Sequence, residues 1–303
     1  MRVVHSVGPA ALGLFVQLVG CASDGLWGNV SDSSSPANPK VLFVGIDGLR
    51  GDGVSGSTMP RLDAIMREGA WTRTASTQLH ARTVSGPGWA SMLTGVDANK
   101  HGISRNGGWE GMDRSYPTLI GRSHELGLRT ATAINWLPIQ MMLIEPGSTD
   151  AVSVGSDGLV AEEMVSRLEN EDFDVHFVAF DDVDRVGHQT GFTLDNPAYV
   201  EAIELTDERV GWMLDAIGNR ANRKQEDWLV LVTSDHGGSG TSHGALDEDC
   251  RTIPLIVWGD SVSPSIIPPG EGSHLDIHPT VMAHLGYRPK ESWLLDGTIR
   301  GSE

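Results

Sequence analysis

Carboxylates and histidines stand where the apolar runs of this chain end. Val41-Leu42-Phe43-Val44-Gly45-Ile46 runs into Asp47. Val175–Phe180 runs into Asp181, Asp182, Asp184 and His188. Trp228–Thr233 runs into Asp235-His236, with His243 a short way on. Asp and His without cysteine form a borderline-to-hard donor set suited to zinc or manganese. Any one of these residues alone reads as a strand-end cap or a satisfied core histidine. Together, Asp47, Asp184, His188, Asp235, His236 and His243, with Ser85 as a further oxygen, match the roughly six or seven protein ligands that two divalent ions need.

Ser85 opens the stretch Ser85-Gly86-Pro87-Gly88-Trp89-Ala90-Ser91-Met92-Leu93-Thr94-Gly95. Pro87 suits a first helical turn, because its ring presets φ and the amide it lacks would be unpaired there. Gly86 and Gly88 keep the approach to Ser85 clear of side chains. Trp89–Leu93 reads as a short buried helix stopped by Gly95. A hydroxyl at such a helix start faces the positive end of the dipole and unpaired N–H groups, a seat for an anionic oxygen. An ordinary serine cap has the same local sequence; the acidic and imidazole residues elsewhere favour a nucleophile. Thr83 is the other hydroxyl in reach.

Elements of two kinds must hold these residues. The apolar runs 41–46, 175–180 and 228–233, with 130–134 and 253–258, read as buried strands of a parallel sheet. Helices are predicted over 60–68, 116–126, 158–168, 197–217 and 274–285. Strands alternate with helices throughout, so the class is α/β with a mostly parallel central sheet and helices on both faces. In open α/β sheets the ligand crevice lies beyond the carboxyl ends of the strands, which is where the acidic and imidazole residues fall. His80, His124, His274, His278 and His284 belong to no motif, and Asp181 and Asp182 read as supporting charge.

The 303 residues carry a formal charge of -18. That argues against nucleic acid as a partner through a basic surface and leaves an anionic substrate dependent on local cations. No internal repeat or second composition regime is visible. Two cysteines do not make a disulfide scaffold; Cys250 reads as a packed residue. Residues 1–20 have the form of a signal peptide, with Arg2 ahead of an apolar run too short to span a bilayer. The run ends in Leu18-Val19-Gly20-Cys21, which resembles the lipobox of bacterial lipoproteins. Residues 21–40, rich in Ser and Pro, read as a tether, and 41–303 as one catalytic domain.

The motifs together resemble the alkaline phosphatase superfamily, and within it the type I phosphodiesterase and nucleotide pyrophosphatase branch. Val44-Gly45-Ile46-Asp47-Gly48 resembles the branch's strand-Asp-Gly opening. Pro87 and Leu93-Thr94-Gly95 align the nucleophile segment on Ser85. His101-Gly102-Ile103 with Asn106, Asp184-Arg185-Val186-Gly187-His188, Ser234-Asp235-His236-Gly237 and His243-Gly244 follow in family order. The resemblance implies an alkaline phosphatase-like fold and two divalent ions, zinc or manganese. Asp184, His188 and His243 would hold one, and Asp47, Asp235 and His236 the other. It implies Ser85 as a nucleophile passing through a phosphoseryl intermediate, and Asn106 as a donor to a phosphoryl oxygen. The substrate would be a small phosphate ester, monoester or diester. Two departures bear on substrate. The nucleotide branch carries threonine followed by an aromatic residue where this chain has Ser85-Gly86, which leaves base stacking without a platform beside the nucleophile. The sulfatase branch requires arginine where this chain has Trp89. A sulfatase or phosphonate hydrolase of the same fold, or a surface lipoprotein that only binds, are the competing readings.

The lipobox implies an exported protein anchored to the membrane through Cys21 and facing the periplasm or cell surface. Mass spectrometry of the native N-terminal peptide should find Cys21 as a lipidated first residue; an unmodified Cys21 inside a longer peptide would refute this.

Overall fold

The first apolar run is a strand, β1 (Pro39–Ile46), buried from Lys40 to Ile46. The structure, a computed structural model, describes residues 38–54, 59–77 and 80–301. The predicted signal peptide, Cys21 and most of the tether lie outside them. β1 begins two residues earlier than the sequence suggests. Lys40 is fully buried, and its ammonium reaches Asp174 at 2.9 Å and Asp172 at 2.8 Å.

After β1 come α1 (Pro60–Glu68), β2 (Ala70–Ser76), α2 (Ser85–Thr94), α3 (Ala98–His101), α4 (Leu119–Glu125), β3 (Thr130–Ile134) and β4 (Asp150–Ser153). Then follow α5 (Asp157–Asn170), β5 (Val175–Phe180), α6 (Asp182–Thr190), α7 (Pro197–Gly218), β6 (Asp227–Thr233), α8 (Glu248–Arg251), β7 (Thr252–Gly259), β8 (Ser265–Ile266) and α9 (Ile277–His284). The strands form one eight-stranded sheet in the order β4-β3-β5-β1-β6-β7-β2-β8. Pairing is parallel except that β7 runs against both β6 and β2. The α/β class read from the sequence is the observed one.

Strand residues alternate between two cores. One face packs Leu42, Val44, Val178, Val230 and Val232 against α1, α5 and α7 through Leu62, Met164, Ile203 and Val210. The other packs Phe43, Phe177 and Leu231 against α2, α4 and α9 through Trp89, Leu93, Ile120 and Val281. Burial on both faces is why these strands read as unbroken apolar runs.

Differences from the sequence reading have local causes. α4 starts at Leu119 rather than Tyr116, because Pro117 disfavours helix in the residue before it and Thr118 caps the helix by accepting from Gly121 N–H at 3.0 Å. The last helix is split, a 3₁₀ turn over His274–Asp276 leading into α9. β2 escapes the pattern because Thr72, Arg73, Thr74 and Ser76 interrupt its apolar positions. α6 escapes it because it starts directly after β5 and contains Gly187. That glycine is required by packing: a Cβ there would lie 2.3 Å from the Phe192 ring.

Candidate active site

Three neighbouring strands deliver the site. β1 pairs with β5 on one side and β6 on the other, both parallel, so the strand order reverses at β1 and opens a crevice at the carboxyl ends. With strands about 4.8 Å apart, three adjacent ends span roughly 10 Å. Asp47 leaves β1, Asp181–His188 follow β5, and Asp235-His236 follow β6. Two close approaches draw these ends together. Gly48 has φ +71°, and a Cβ there would sit 2.8 Å from Asp184 Cα. Gly88 lets α2 lie against Asp235, where a Cβ would come within 2.7 Å of its carbonyl oxygen.

The three imidazoles share one arrangement. Nδ1 of His236 donates to Gly237 O at 2.8 Å, that of His243 to Thr83 O at 2.9 Å, and that of His188 to Thr241 O at 3.0 Å. Each Nε2 therefore carries the lone pair, and each faces a carboxylate. His236 Nε2 lies 3.4 Å from Asp47 Oδ1 and 3.3 Å from Asp235 Oδ2. His243 Nε2 lies 3.6 Å from Asp184 Oδ1, and His188 Nε2 3.4 Å from Asp184 Oδ2. The His236 and His243 rings stack at 3.9 Å.

Lone pairs facing carboxylate oxygens repel unless a cation lies between them. Asp47 Oδ1, Asp184 Oδ1 and Asp235 Oδ2 are buried without a hydrogen-bond partner, a costly state for a charged group. Zinc bonded at 2.0–2.1 Å in a tetrahedron holds its ligand atoms about 3.3 Å apart, close to the separations here. The donor set thus fits divalent ions. Two compact groups emerge, Asp47–Asp235–His236 and Asp184–His236–His243. His236 belongs to both, and His188 joins through the second oxygen of Asp184 while remaining partly exposed.

Burial sets the electrostatics of these groups. It raises the Asp47 carboxyl to about 6. It raises Asp184 to about 9, with the Asp47 and Asp181 charges adding to it. Asp235 is raised well above the usual range for the same reason, and Asp181 to about 7. Burial lowers His236 and His243 to about 3.

Ser85 opens α2 with its Oγ 3.4 Å from His236 Nε2. The helix start offers fewer amides than the sequence implies. Gly86 N–H donates to Asn106 Oδ1 at 2.6 Å, and Pro87 has no amide. Thr83 is bound otherwise: its hydroxyl donates to Ala245 O at 2.6 Å and accepts from Gly244 N–H at 3.0 Å. His80 pairs with Asp97, His278 Nδ1 lies 2.9 Å from Leu93 O, and His284 Nε2 lies 3.0 Å from Asp227 O.

The profile of the type I phosphodiesterase / nucleotide pyrophosphatase family matches residues 41–253. The chain belongs to this family. A bis(5'-adenosyl)-triphosphatase of Xenopus laevis is 25% identical over 77% of this chain and 52% of its own length. A phosphopentomutase of Pectobacterium carotovorum is 32% identical over 43% of this chain and 28% of its own. The chain therefore spans about half or less of the length of these curated relatives. Among solved structures, a 2-O GAG sulfatase superposes with a TM-score of 0.70 at 14% identity, covering 88% of this chain and 75% of that one. An inactive murine ectonucleotide pyrophosphatase / phosphodiesterase 5 in complex with AMP gives 0.65 at 13%, covering 88% and 98%. These structural likenesses establish the alkaline phosphatase-like fold.

Within this phosphodiesterase-family chain, several supporting contacts lie beyond the sequence reading. The Trp89 indole N–H donates to Asp47 Oδ2 at 3.0 Å, fixing which oxygen of Asp47 faces His236. Buried Tyr199 donates to Gly48 O at 2.8 Å. His101, lowered to about 4 by burial, accepts from Ile103 N–H at 3.1 Å and faces Ser91 Oγ at 2.9 Å. It thus braces α2 against the loop that carries Asn106. That loop also brings an aromatic ring against Gly86, whose own position supplies none. A Cβ on Gly86 would meet Asn106 Oδ1 at 2.9 Å and Trp109 Cη2 at 3.2 Å, so the Trp109 ring fills the space a side chain at 86 would take. Trp136 packs against it at 5.9 Å. A contact between Gly86 and a residue 23 positions later has no local sequence signal.

The carboxylate shifts fix the pH response of chelator-treated protein. Above about pH 6.5, folded protein retains protons on Asp184 and Asp181 that the unfolded chain has released, so its stability falls as pH rises toward 9. The depressed histidines act oppositely, but only below their ordinary value of 6.5. Melting temperature in chelator should therefore decline from pH 6.5 to 9, and added zinc should raise it most at the alkaline end. A flat or rising profile in chelator would contradict the assignment.

Proposed function

We propose that this chain hydrolyses phosphate esters, phosphodiesters in particular, with Ser85 as nucleophile and two divalent ions as cofactors. The observation that carries this reading is the 3.4 Å approach of Ser85 Oγ to Nε2 of His236, the histidine common to both ligand groups. Asp47, Asp235 and His236 would hold one ion beside Ser85, and Asp184, His188 and His243 the other, zinc or manganese by donor type. Such ions supply Lewis-acid stabilisation of the attacking and leaving oxygens.

The chain's own residues do the rest. α2 fixes the Ser85 hydroxyl at the crevice floor, so the Oγ–P bond forms in line as the ester P–O bond breaks. The resulting phosphoseryl group is then hydrolysed. Asn106 has its oxygen committed to the Gly86 amide, which leaves its Nδ2 to donate to a phosphoryl oxygen. Trp109, backed by Trp136, offers an apolar wall for the substituent on the phosphorus. That wall favours a diester over a monoester, in keeping with the relative named for cleaving bis(5'-adenosyl) triphosphate. On the sulfatase reading, Trp89 would be an arginine; here its indole is committed to Asp47. The Leu18–Cys21 motif supports, as a further part of this proposal, an exported protein held to the membrane by lipid on Cys21.

Ser85→Ala should lower turnover of a chromogenic phosphodiester by about three orders of magnitude or more and leave metal content intact. Thr83→Ala should act mainly on stability, by about 1 kcal/mol. Peptide mapping after trapping with labelled substrate should place phosphate on Ser85. Near wild-type turnover in Ser85→Ala would refute the nucleophile, and retained activity in both variants would point to direct attack by water.

A further inference from the structure

Asp157 lies outside the site, yet it is completely buried in the first turn of α5. Its Oδ1 accepts from Asn135 Nδ2 at 2.7 Å and from Asp181 N–H at 2.9 Å; its Oδ2 accepts from Asp182 N–H at 2.8 Å. Arg209 of α7 stands 3.8 Å from Asp157 Oδ2 and 3.1 Å from Asp182 Oδ2. The two amides belong to the start of α6, whose own N-cap, Asp181, makes no side-chain cap. Asp157 therefore does for α6 what a capping side chain does for an ordinary helix. The difference is mechanical. A local cap moves with its helix, whereas a cap borrowed from α5 ties the helix start to the rest of the fold. Asn135, just past β3, and Arg209 on α7 extend that tie to two more elements. α6 in turn carries Asp184 in its first turn and His188 in its last.

We propose that Asp157, held by Asn135 and Arg209, is a positioning residue that sets where α6 presents Asp184 and His188 to a divalent ion. The inference rests on the metal-dependent reading above. Burying a carboxylate under four polar contacts is costly unless each is satisfied. Asp157→Asn keeps the volume but sets an NH₂ group against an amide the carboxylate had served.

Zinc titration of metal-free protein against a chromogenic chelator separates the possibilities. Wild type should take up two ions, and Asp184→Ala and Asp235→Ala should each abolish one step, which assigns the steps. Asp157→Asn should weaken the Asp184 step about 10- to 100-fold, the range for losing an outer-shell partner, and leave the Asp235 step unchanged. Arg209→Met should weaken the same step by a smaller factor, which keeps the test open if Asp157→Asn fails to fold. Equal weakening of both steps, as from general loosening, overturns the proposal, as does no weakening of either. A wild-type protein that binds fewer than two ions overturns the functional reading, and this inference with it.

Discussion

Three carboxylate oxygens buried without partners, on Asp47, Asp184 and Asp235, are the constraint around which the crevice at the carboxyl ends of the strands is built. Negative charge so concentrated repels itself, and burial strengthens the repulsion. Every neighbouring group answers to it. The Trp89 indole and the Gly48 amide donate to the outer oxygens. Each histidine spends its Nδ1 proton on a backbone carbonyl and turns a lone pair inward. Glycines at 48 and 88 remove side chains that would hold the carboxylates apart. Burying these carboxylates together costs stability unless a cation balances them.

The scaffold meets this demand through helices fixed from outside themselves. α6 takes its cap from Asp157 on α5. α1 likewise has no side-chain cap of its own, and its first amides, Arg61 and Leu62, donate to buried Asp207 on α7 at 3.0 and 2.8 Å. Both carboxylates lie on the same face of the sheet. On the opposite face α2 is fixed by tight packing: Gly88 meets Asp235, and the Trp89 ring fills the space a side chain at Gly45 would take. On the first face α6 and α1 are thus located by long-range capping, and on the other α2 by close contact.

The strands that frame the site were legible because burial on both faces leaves an unbroken apolar signature, and the acidic and imidazole residues stood out at their ends. β2 was not, because its polar positions break the pattern. α6 was not, because a helix that starts at once after a strand, with a glycine inside it, carries no turn signal ahead of it. Asp47, Asp184, His188, Asp235, His236 and His243 were nameable from type and position, and the structure brings them to one crevice. What supports them was not nameable. Trp89, Trp109, Tyr199 and Asp157 act through contacts spanning 22 to 151 positions of chain, and such contacts exist only once the sheet has formed. The sharing of His236 between the two ligand groups is likewise a matter of ring placement, which spacing does not encode.

The pairing of β1 has a consequence for how this protein comes into being. Its two partners lie far along the chain: Lys40 meets Asp174 across 134 positions, and Gly48 meets Asp235 across 187. Closing loops of that length before any contact rewards it slows folding. During synthesis, β1 emerges as an unpaired apolar strand and stays so until β5 and then β6 are made. Until then it is exposed to wrong pairing with another chain. α2 cannot bring Ser85 to its imidazole neighbour until β6 has docked. Assembly of the crevice is therefore among the last steps the chain completes, and a nascent chain interrupted before β6 would hold Ser85 without the histidine it faces.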